Sequence, residues 1–187
     1  IKAKLLNLTE DRGFLEINTG EAGLLDNDSI PDLVLADAEK TMIIQNKGLL
    51  SYQLAAKFPI SKEVRDQMDD TDCQKLENGK CYVPSSAILI DDFDNDGQNE
   101  IIVARATDKW HGQILQSFDR INKKWEDVTN DMFGVQDYHL NDFAVWCNTL
   151  FAVDVNNDGQ KDLLCPYSSN FEPSKRDQVW INESGKF

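Results

Sequence analysis

One stretch of the chain recurs without gaps and decides the fold. It reads Asp92-Phe-Asp-Asn-Asp-Gly-Gln-Asn-Glu100 and leads into the apolar run Ile101-Ile-Val103. The second copy reads Asp154-Val-Asn-Asn-Asp-Gly-Gln-Lys-Asp162 and leads into Leu163-Leu-Cys165. A short apolar run also precedes each copy, so both places are predicted to hold two β-strands joined by an acidic loop.

A third, weaker copy lies upstream. It reads Leu24-Leu-Asp-Asn-Asp-Ser-Ile-Pro-Asp32 and is followed by another apolar run. Leucine stands where the first acid should be, and serine replaces the glycine. Because only Asp26, Asp28 and Asp32 remain, we expect this loop to bind a cation weakly or not at all.

Both complete loops have the residue types that calcium requires. Calcium binds six to eight oxygen atoms at about 2.3–2.6 Å. Acids or amides at positions 1, 3 and 5 can turn toward one centre, glycine at position 6 allows a sharp turn, and position 9 supplies a last carboxylate. An EF-hand would instead have glutamate at position 12 and enter a helix. An acidic surface turn is the alternative for either loop alone.

The pattern D-x-D/N-x-D-G-x-x-D/E before an apolar run resembles the FG-GAP/VCBS repeat family of integrin-like, calcium-binding β-propellers. The closing Asn182-Glu-Ser-Gly-Lys-Phe187 is similar to the same family. Clear FG and GAP elements are missing, so the resemblance is to the wider repeat family. It implies structural calcium in both loops, and the positions it carries over as ligands are Asp92, Asp94, Asp96, Gln98, Glu100, Asp154, Asn156, Asp158, Gln160 and Asp162.

Short strands recurring about every 60 residues predict an all-β protein built from four-stranded antiparallel β-propeller blades. The predicted repeats lie near 24–52, 87–129 and 149–187, with an insertion at about 55–84 that holds one candidate helix, Ser61–Met68. A β-sandwich with two similar turns is the alternative. Closed propellers need at least four blades, so three repeats predict a segment of a larger propeller, or edges completed by another chain.

The composition excludes some classes of partner. The chain has 187 residues, 41% of them hydrophobic, and 33 acids against 19 bases give a net charge of −14. Nucleic acids and anionic membranes bind basic surfaces, so neither is an expected partner. No apolar run approaches the ~20 residues of a membrane-spanning helix. The expected partners are a protein or glycan ligand and other blades of the same or a neighbouring chain.

The cysteines and sequons bear on location. Cys73 and Cys81 bracket a short polar loop and are predicted to form a disulfide, while Cys147 and Cys165 flank the third acidic loop and could also meet. Four thiols are the alternative. A disulfide implies an oxidising, extracellular or secretory compartment. Sequons at Asn7 and Asn182 are candidates for glycosylation if the source glycosylates.

No catalytic motif is visible in the sequence. The two histidines, His111 and His139, are isolated, and no nucleophile motif or phosphate loop is present. We therefore expect a non-catalytic, calcium-stabilised extracellular module for protein or glycan recognition and adhesion. Two alternatives remain: the propeller domain of a polysaccharide-acting enzyme, and an architectural segment of a large surface assembly.

Overall fold

The computed structural model describes residues 18–26, 28–49, 51–61, 75, 79, 81–106, 114–134, 136, 147–166 and 177–187. Within these residues the chain forms eleven strands and one short helix. The strands make three antiparallel sheets. We call them the first, second and third sheet in chain order.

The first sheet has four strands in chain order: β1 (Thr19–Gly23), β2 (Asp32–Ala36), β3 (Lys40–Asn46) and β4 (Tyr52–Pro59). Burial alternates along β2, as expected for a strand whose side chains point to opposite faces. By contrast, β4 is exposed or half-buried along its whole length. Polar and apolar residues mix there, because the strand lies at the edge of the sheet.

The second sheet repeats this order with β5 (Ser85–Asp91), β6 (Glu100–Arg105), β7 (Ile114–Ile121) and β8 (Lys124–Asp127), and a short helix, α1 (Thr129–Phe133), follows. Every residue of β6 is buried. A continuous apolar run of this kind is expected where both faces of a sheet are covered. The turn between β7 and β8 places Asn122 and Lys123 at positive φ, as tight hairpins require.

The third sheet contains three described strands, β9 (Phe151–Val153), β10 (Asp162–Cys165) and β11 (Gln178–Trp180), with β10 in the middle. A disulfide joins Cys147, ahead of β9, to Cys165 at the end of β10. It therefore closes the base of the hairpin that carries the Asp154–Asp162 loop.

Two apolar cores hold the sheets together. One lies between the first and second sheets and includes Val34, Ile101 and Phe118. The other lies between the second and third sheets and includes Ile102 and Leu163. Because Ile101 and Ile102 point to opposite faces of β6, the second sheet is packed between its two neighbours.

The outer face of the third sheet is apolar and open. Leu164 lies opposite both Phe151 and Val179 in the register, so these three share one face. The exposed fractions on this side of the sheet lie between 39% and 47% for Phe151, Val153, Val155, Val179 and Ile181. In the first and second sheets the corresponding face is covered by the sheet that follows.

The prediction of an all-β fold of small antiparallel sheets is confirmed. No closed barrel or propeller is found among the described residues, so the propeller stays a prediction. The predicted insertion at 55–84 begins too early, because Tyr52–Pro59 pairs with β3 as a fourth strand. The candidate helix 61–68 lies almost entirely outside the described residues. No helix in the described part of the chain is long and apolar enough to cross a membrane.

Candidate metal centre

The acidic loops occupy the same place in each sheet. Asp92–Glu100 joins β5 to β6, Asp154–Asp162 joins β9 to β10, and the weaker loop joins β1 to β2. The two complete loops also share a backbone conformation. Asn95 and Asn157 at position 4 both have φ of 62°. Their glycines at position 6 have φ of 86° and 88°, a region that glycine adopts without strain.

Main-chain amides fold the Asp92–Glu100 loop around its own carboxylates. The Gly97 N–H donates to Asp92 Oδ2 over 3.0 Å, and the Asp96 N–H donates to Asp94 Oδ1 over 3.0 Å. The Gln98 N–H donates to Asp96 Oδ1 over 2.7 Å. Each bond holds one oxygen of its carboxylate against the main chain of the loop.

These contacts gather four carboxylates. One oxygen each from Asp92, Asp94, Asp96 and Glu100 lies within 4.8 Å of the other three. Two oxygens bound to one calcium at about 2.4 Å can be at most about 4.8 Å apart, so these separations meet the distance limit for sharing one ion. Among the described residues this is the one cluster of three or more potential acidic, histidine or cysteine ligands.

Glu100 is the most informative member of the cluster. The residue is 1% exposed. Its Oε2 accepts the Phe93 N–H over 2.7 Å, while its Oε1 is buried without a hydrogen-bond partner. Asp92 Oδ1 is in the same situation. A buried carboxylate oxygen without a donor is costly, so both atoms fit a site that a cation completes.

The raised pKa values of Glu100 and Asp94 are also consistent with a cation site. Burial raises the pKa of Glu100 to about 8; the Phe93 N–H opposes the rise, and the charges of Asp94, Asp119 and Asp92 add to it. Burial also raises the pKa of Asp94, which the charges of Asp96 and Asp92 increase further. A bound divalent cation would reverse both effects by favouring the ionised carboxylates.

Asp119 is a fifth acid near this cluster, and it lies outside the repeated motif. Ile101 pairs with Phe118 across β6 and β7, which brings Asp119 next to Glu100. Burial raises the pKa of Asp119, and the charges of Asp94 and Asp96 raise it further. In the sequence, Asp119 stands out only as an acid directly after the apolar part of β7. That it lies near the acidic loop depends on the register between β6 and β7.

The Asp154–Asp162 loop satisfies its carboxylates internally. Asp154 accepts the N–H groups of Asp158 over 3.1 Å and Gly159 over 2.9 Å. Asp162 is fully buried and accepts the N–H groups of Val155 over 2.9 Å and Asn182 over 2.8 Å. Asp158 accepts two further bonds, described next, so every carboxylate oxygen of this loop has a hydrogen-bond donor.

Asp158 and the amide positions of this loop are tied down as well. The Gln160 N–H donates to Asp158 Oδ1, and Asn156 Nδ2 donates to Asp158 Oδ2. The bond from Gln160 lowers the pKa of Asp158 most, and the bond from Asn156 lowers it further. Gln160 Oε1 accepts the Ser184 N–H over 2.6 Å. In the other loop, Gln98 Nε2 donates to Asp96 Oδ2 over 3.0 Å.

The weaker loop does not gather its acids. Asp26 accepts the Asp28 N–H and the Gln45 side-chain amide, so both of its oxygens are used locally. Asp32 accepts the Asn46 N–H over 2.8 Å, and burial raises its pKa. The three acids do not form a cluster of the kind found at Asp92–Glu100.

The remaining predicted sites have mixed outcomes. Cys147 and Cys165 do pair. Cys81 is not a free thiol, but its predicted partner Cys73 lies outside the described residues, as does Asn7.

Glycosylation at Asn182 does not fit the structure. The Asn182 amide is fully buried and donates to Phe93 O over 2.7 Å and Lys161 O over 2.9 Å, which leaves no room for a glycan.

Comparisons with protein-family models, with curated proteins and with solved structures found no match. The site therefore rests on its own geometry. Four carboxylates with one oxygen each within 4.8 Å of the others, two of them with buried unpartnered oxygens, can hold a metal ion. The described residues give no pairing of a nucleophile with a base at this place.

Proposed function

We propose that this chain is a calcium-stabilised, non-catalytic β-propeller segment of an extracellular protein, and that it serves protein or glycan recognition. The observation that carries the calcium assignment is the gathering of four carboxylates, two of which, Glu100 and Asp92, have a buried oxygen without a hydrogen-bond partner. All the candidate ligands are oxygens, which favours a hard cation over zinc or copper. A flexible carboxylate set suits calcium better than magnesium, which requires a tighter octahedron.

Both complete loops are proposed as calcium sites, with different support. The Asp92–Glu100 loop has carboxylate oxygens without donors. In the Asp154–Asp162 loop each carboxylate oxygen already accepts one hydrogen bond, but an oxygen has a second lone pair for a cation. We therefore expect the Asp92–Glu100 loop to bind calcium more tightly.

The extracellular location is supported by the Cys147–Cys165 disulfide, since such bonds persist in oxidising compartments. The recognition role is supported by the resemblance to the FG-GAP/VCBS repeats. The propeller is supported by three consecutive antiparallel sheets that stack through apolar faces and carry an equivalent loop at the same place.

A second candidate is an architectural segment of a larger surface assembly. The open apolar face of the third sheet, which includes Phe151 and Val179, favours it. In the first two sheets the corresponding face is covered by another sheet. A further sheet of the same type would cover this face and extend the stack.

Calorimetric titration with calcium chloride tests the metal assignment, with magnesium chloride as the competing ion. We expect two sites in the wild type, loss of one in Asp96→Ala, and loss of the other in Asp158→Ala. Heat or stoichiometry that is the same in all three proteins would defeat the assignment. A glycan and protein binding screen with and without calcium then tests recognition, and cleavage of a bound polysaccharide by the chain alone would show that the module is catalytic.

A further inference from the structure

Phe93 belongs to both the acidic loop and a core. It is the second residue of the Asp92–Glu100 loop, yet its ring is fully buried between the second and third sheets. There it meets the Phe187 ring edge-on, with the centroids 5.6 Å apart. A movement of this loop therefore also moves a side chain that the third sheet packs against.

The Phe93 peptide is held from two sides. Its N–H donates to Glu100 Oε2 over 2.7 Å, which ties it to the acidic cluster. Its carbonyl accepts Asn182 Nδ2 over 2.7 Å, which ties it to the turn after β11. The peptide thus lies directly between the candidate cation ligand Glu100 and the third sheet.

Asn182 fixes that turn to the third sheet. Its N–H donates to Asp162 Oδ1 over 2.8 Å, and its Nδ2 also donates to Lys161 O over 2.9 Å. Gly185 follows in the same turn and approaches the loop closely, because a Cβ added there would lie 2.7 Å from Asp94 Cβ. The turn at 182–185 therefore contacts the acidic loop at two points.

We propose that the cation bound by the Asp92–Glu100 loop controls how firmly the third sheet docks on the second, and that Asn182 is the positioning residue that transmits this effect. The inference rests on the proposed cation site. A cation holds Glu100 through its free Oε1, so Oε2 stays on Phe93 and the Phe93 carbonyl stays aligned with Asn182. Without the cation, Glu100 Oε1 has no partner in its buried position, which favours conformations in which Glu100 leaves it.

The first sheet supplies a matched control. Asn46 occupies the place of Asn182: its N–H donates to Asp32 Oδ1, its Nδ2 donates to Pro31 O, and its Oδ1 accepts the Gly48 N–H. These hydrogen bonds all stay within the first sheet and its own loops. Asn46→Ala therefore removes the two equivalent side-chain bonds and keeps the main-chain bond to Asp32, without touching the junction of the second and third sheets.

The test is hydrogen exchange of β10 and β11, measured in the whole chain with saturating calcium chloride or with chelator. Every protein carries Asp158→Ala, which removes the other proposed calcium site, because that loop leads directly into β10. The Gly97 amide resonance reports independently whether the ion is bound. We expect calcium to slow exchange in β10 and β11 of this parent chain by about 5-fold to 150-fold, the usual range for coupled sites. The slowing should vanish when Asp96→Ala is added, persist with Asn46→Ala, and fall below about twofold with Asn182→Ala.

The outcomes separate the two proposals. An unmoved Gly97 resonance in the parent chain would overturn calcium binding itself. A shifted resonance with unchanged exchange in β10 and β11 would overturn only the coupling. If the slowing of exchange persists in Asn182→Ala at saturating calcium, Asn182 does not transmit the effect of the cation. If Asn182→Ala does not fold, Gly185→Ala is the second variant: its Cβ pushes the turn away from Asp94, so the slowing should again disappear, and its persistence would contradict the proposal.

Discussion

Two loops of nearly the same sequence differ in how their last acid is satisfied. Glu100 keeps one buried oxygen without a donor, whereas Asp162 accepts a main-chain N–H on each oxygen. Glutamate is one methylene longer than aspartate and reaches further into its loop. The residue that faces position 8 of the loop from the third strand also differs: it is Asn182 in the third sheet and Arg120, inside β7, in the second.

Matching loop sequences therefore do not make equivalent sites. The Asp154–Asp162 loop is stabilised by donors of its own sheet and can keep its shape without an ion. The Asp92–Glu100 loop leaves part of its charge uncompensated within the protein, so its shape depends more on a cation. The difference arises at position 9 of the motif and in the residues that meet each loop from neighbouring strands, such as Asn182.

The largest expected difference lies at position 2 of the loops. Phe93→Ala should cost about 3–5 kcal/mol of unfolding free energy, because it empties a buried site between two sheets. Val155→Ala, at an exposed position, should cost about 0.5 kcal/mol or less. Urea unfolding of both variants with calcium present measures the two losses. Equal losses would mean that the two positions are not packed as differently as the structure has them.

The next effect is a pH dependence of the metal-free protein. The pKa of Glu100 is about 8 in the fold and near 4.5 in the unfolded chain, so the fold binds the extra proton between these values. Stability should therefore fall as pH rises from about 4.5 to about 8, by at most about 1.4 kcal/mol per pH unit.

Unfolding of metal-stripped protein at pH 5, 6.5 and 8 measures this slope. Glu100→Gln should flatten it, and saturating calcium should abolish it, because the ion favours the ionised carboxylate. Asp158→Asn is the control, since the pKa of Asp158 is lowered and its substitution should leave the slope between pH 5 and 8 intact. A wild type whose stability rises with pH across this window would contradict the assignment.

A smaller effect is expected at the last acid of the other loop. Asp162→Asn replaces one acceptor oxygen with an N–H₂ donor, so one of two buried main-chain donors, on Val155 or Asn182, loses its partner. The cost should be about 1–3 kcal/mol, both with and without calcium. Denaturation in calcium and in chelator compares the two conditions. A loss confined to the calcium-bound protein would make Asp162 primarily a ligand.

The smallest predicted effect concerns Asp119. Asp119→Asn removes one negative charge beside the acidic cluster, so calcium affinity should fall by about 3-fold to 10-fold, or about 1 kcal/mol. Glu126→Gln is the matched control, because Glu126 lies across from Asp119 on β8. Its effect on affinity should be below twofold. Calorimetry measures the calcium affinity of both variants. Equal losses of affinity would show that Asp119 acts only through net charge.

The loops were predictable because their candidate ligands are close in sequence. Asp92 to Glu100 fall within nine consecutive positions, so spacing alone indicates that they can converge. The all-β fold was predictable for the same reason, since short apolar runs and turn residues are local signals. Strand β4 was missed because it is an edge strand with little alternation, as its exposed and half-buried pattern shows.

What the sequence could not reveal depends on contacts between distant segments. Asn182 binds the carbonyl of Phe93, which lies 89 residues away, and its sequon suggested an exposed residue instead. Asp119 approaches the cluster only through the register of β6 and β7. The difference between the two loops is of the same kind, because it is set by which neighbouring groups reach Glu100 and Asp162.

The Cys147–Cys165 bond changes how the third sheet is stabilised. This sheet has three described strands and one open face, so it has fewer packing contacts than the second sheet to oppose chain entropy. The bond spans a sequence separation of 18 residues, and closing a loop of that size restricts the unfolded chain by about 3 kcal/mol. The hairpin with an open face is therefore one whose unfolded ensemble a disulfide restricts, and reduction of Cys147–Cys165 would weaken the third sheet directly.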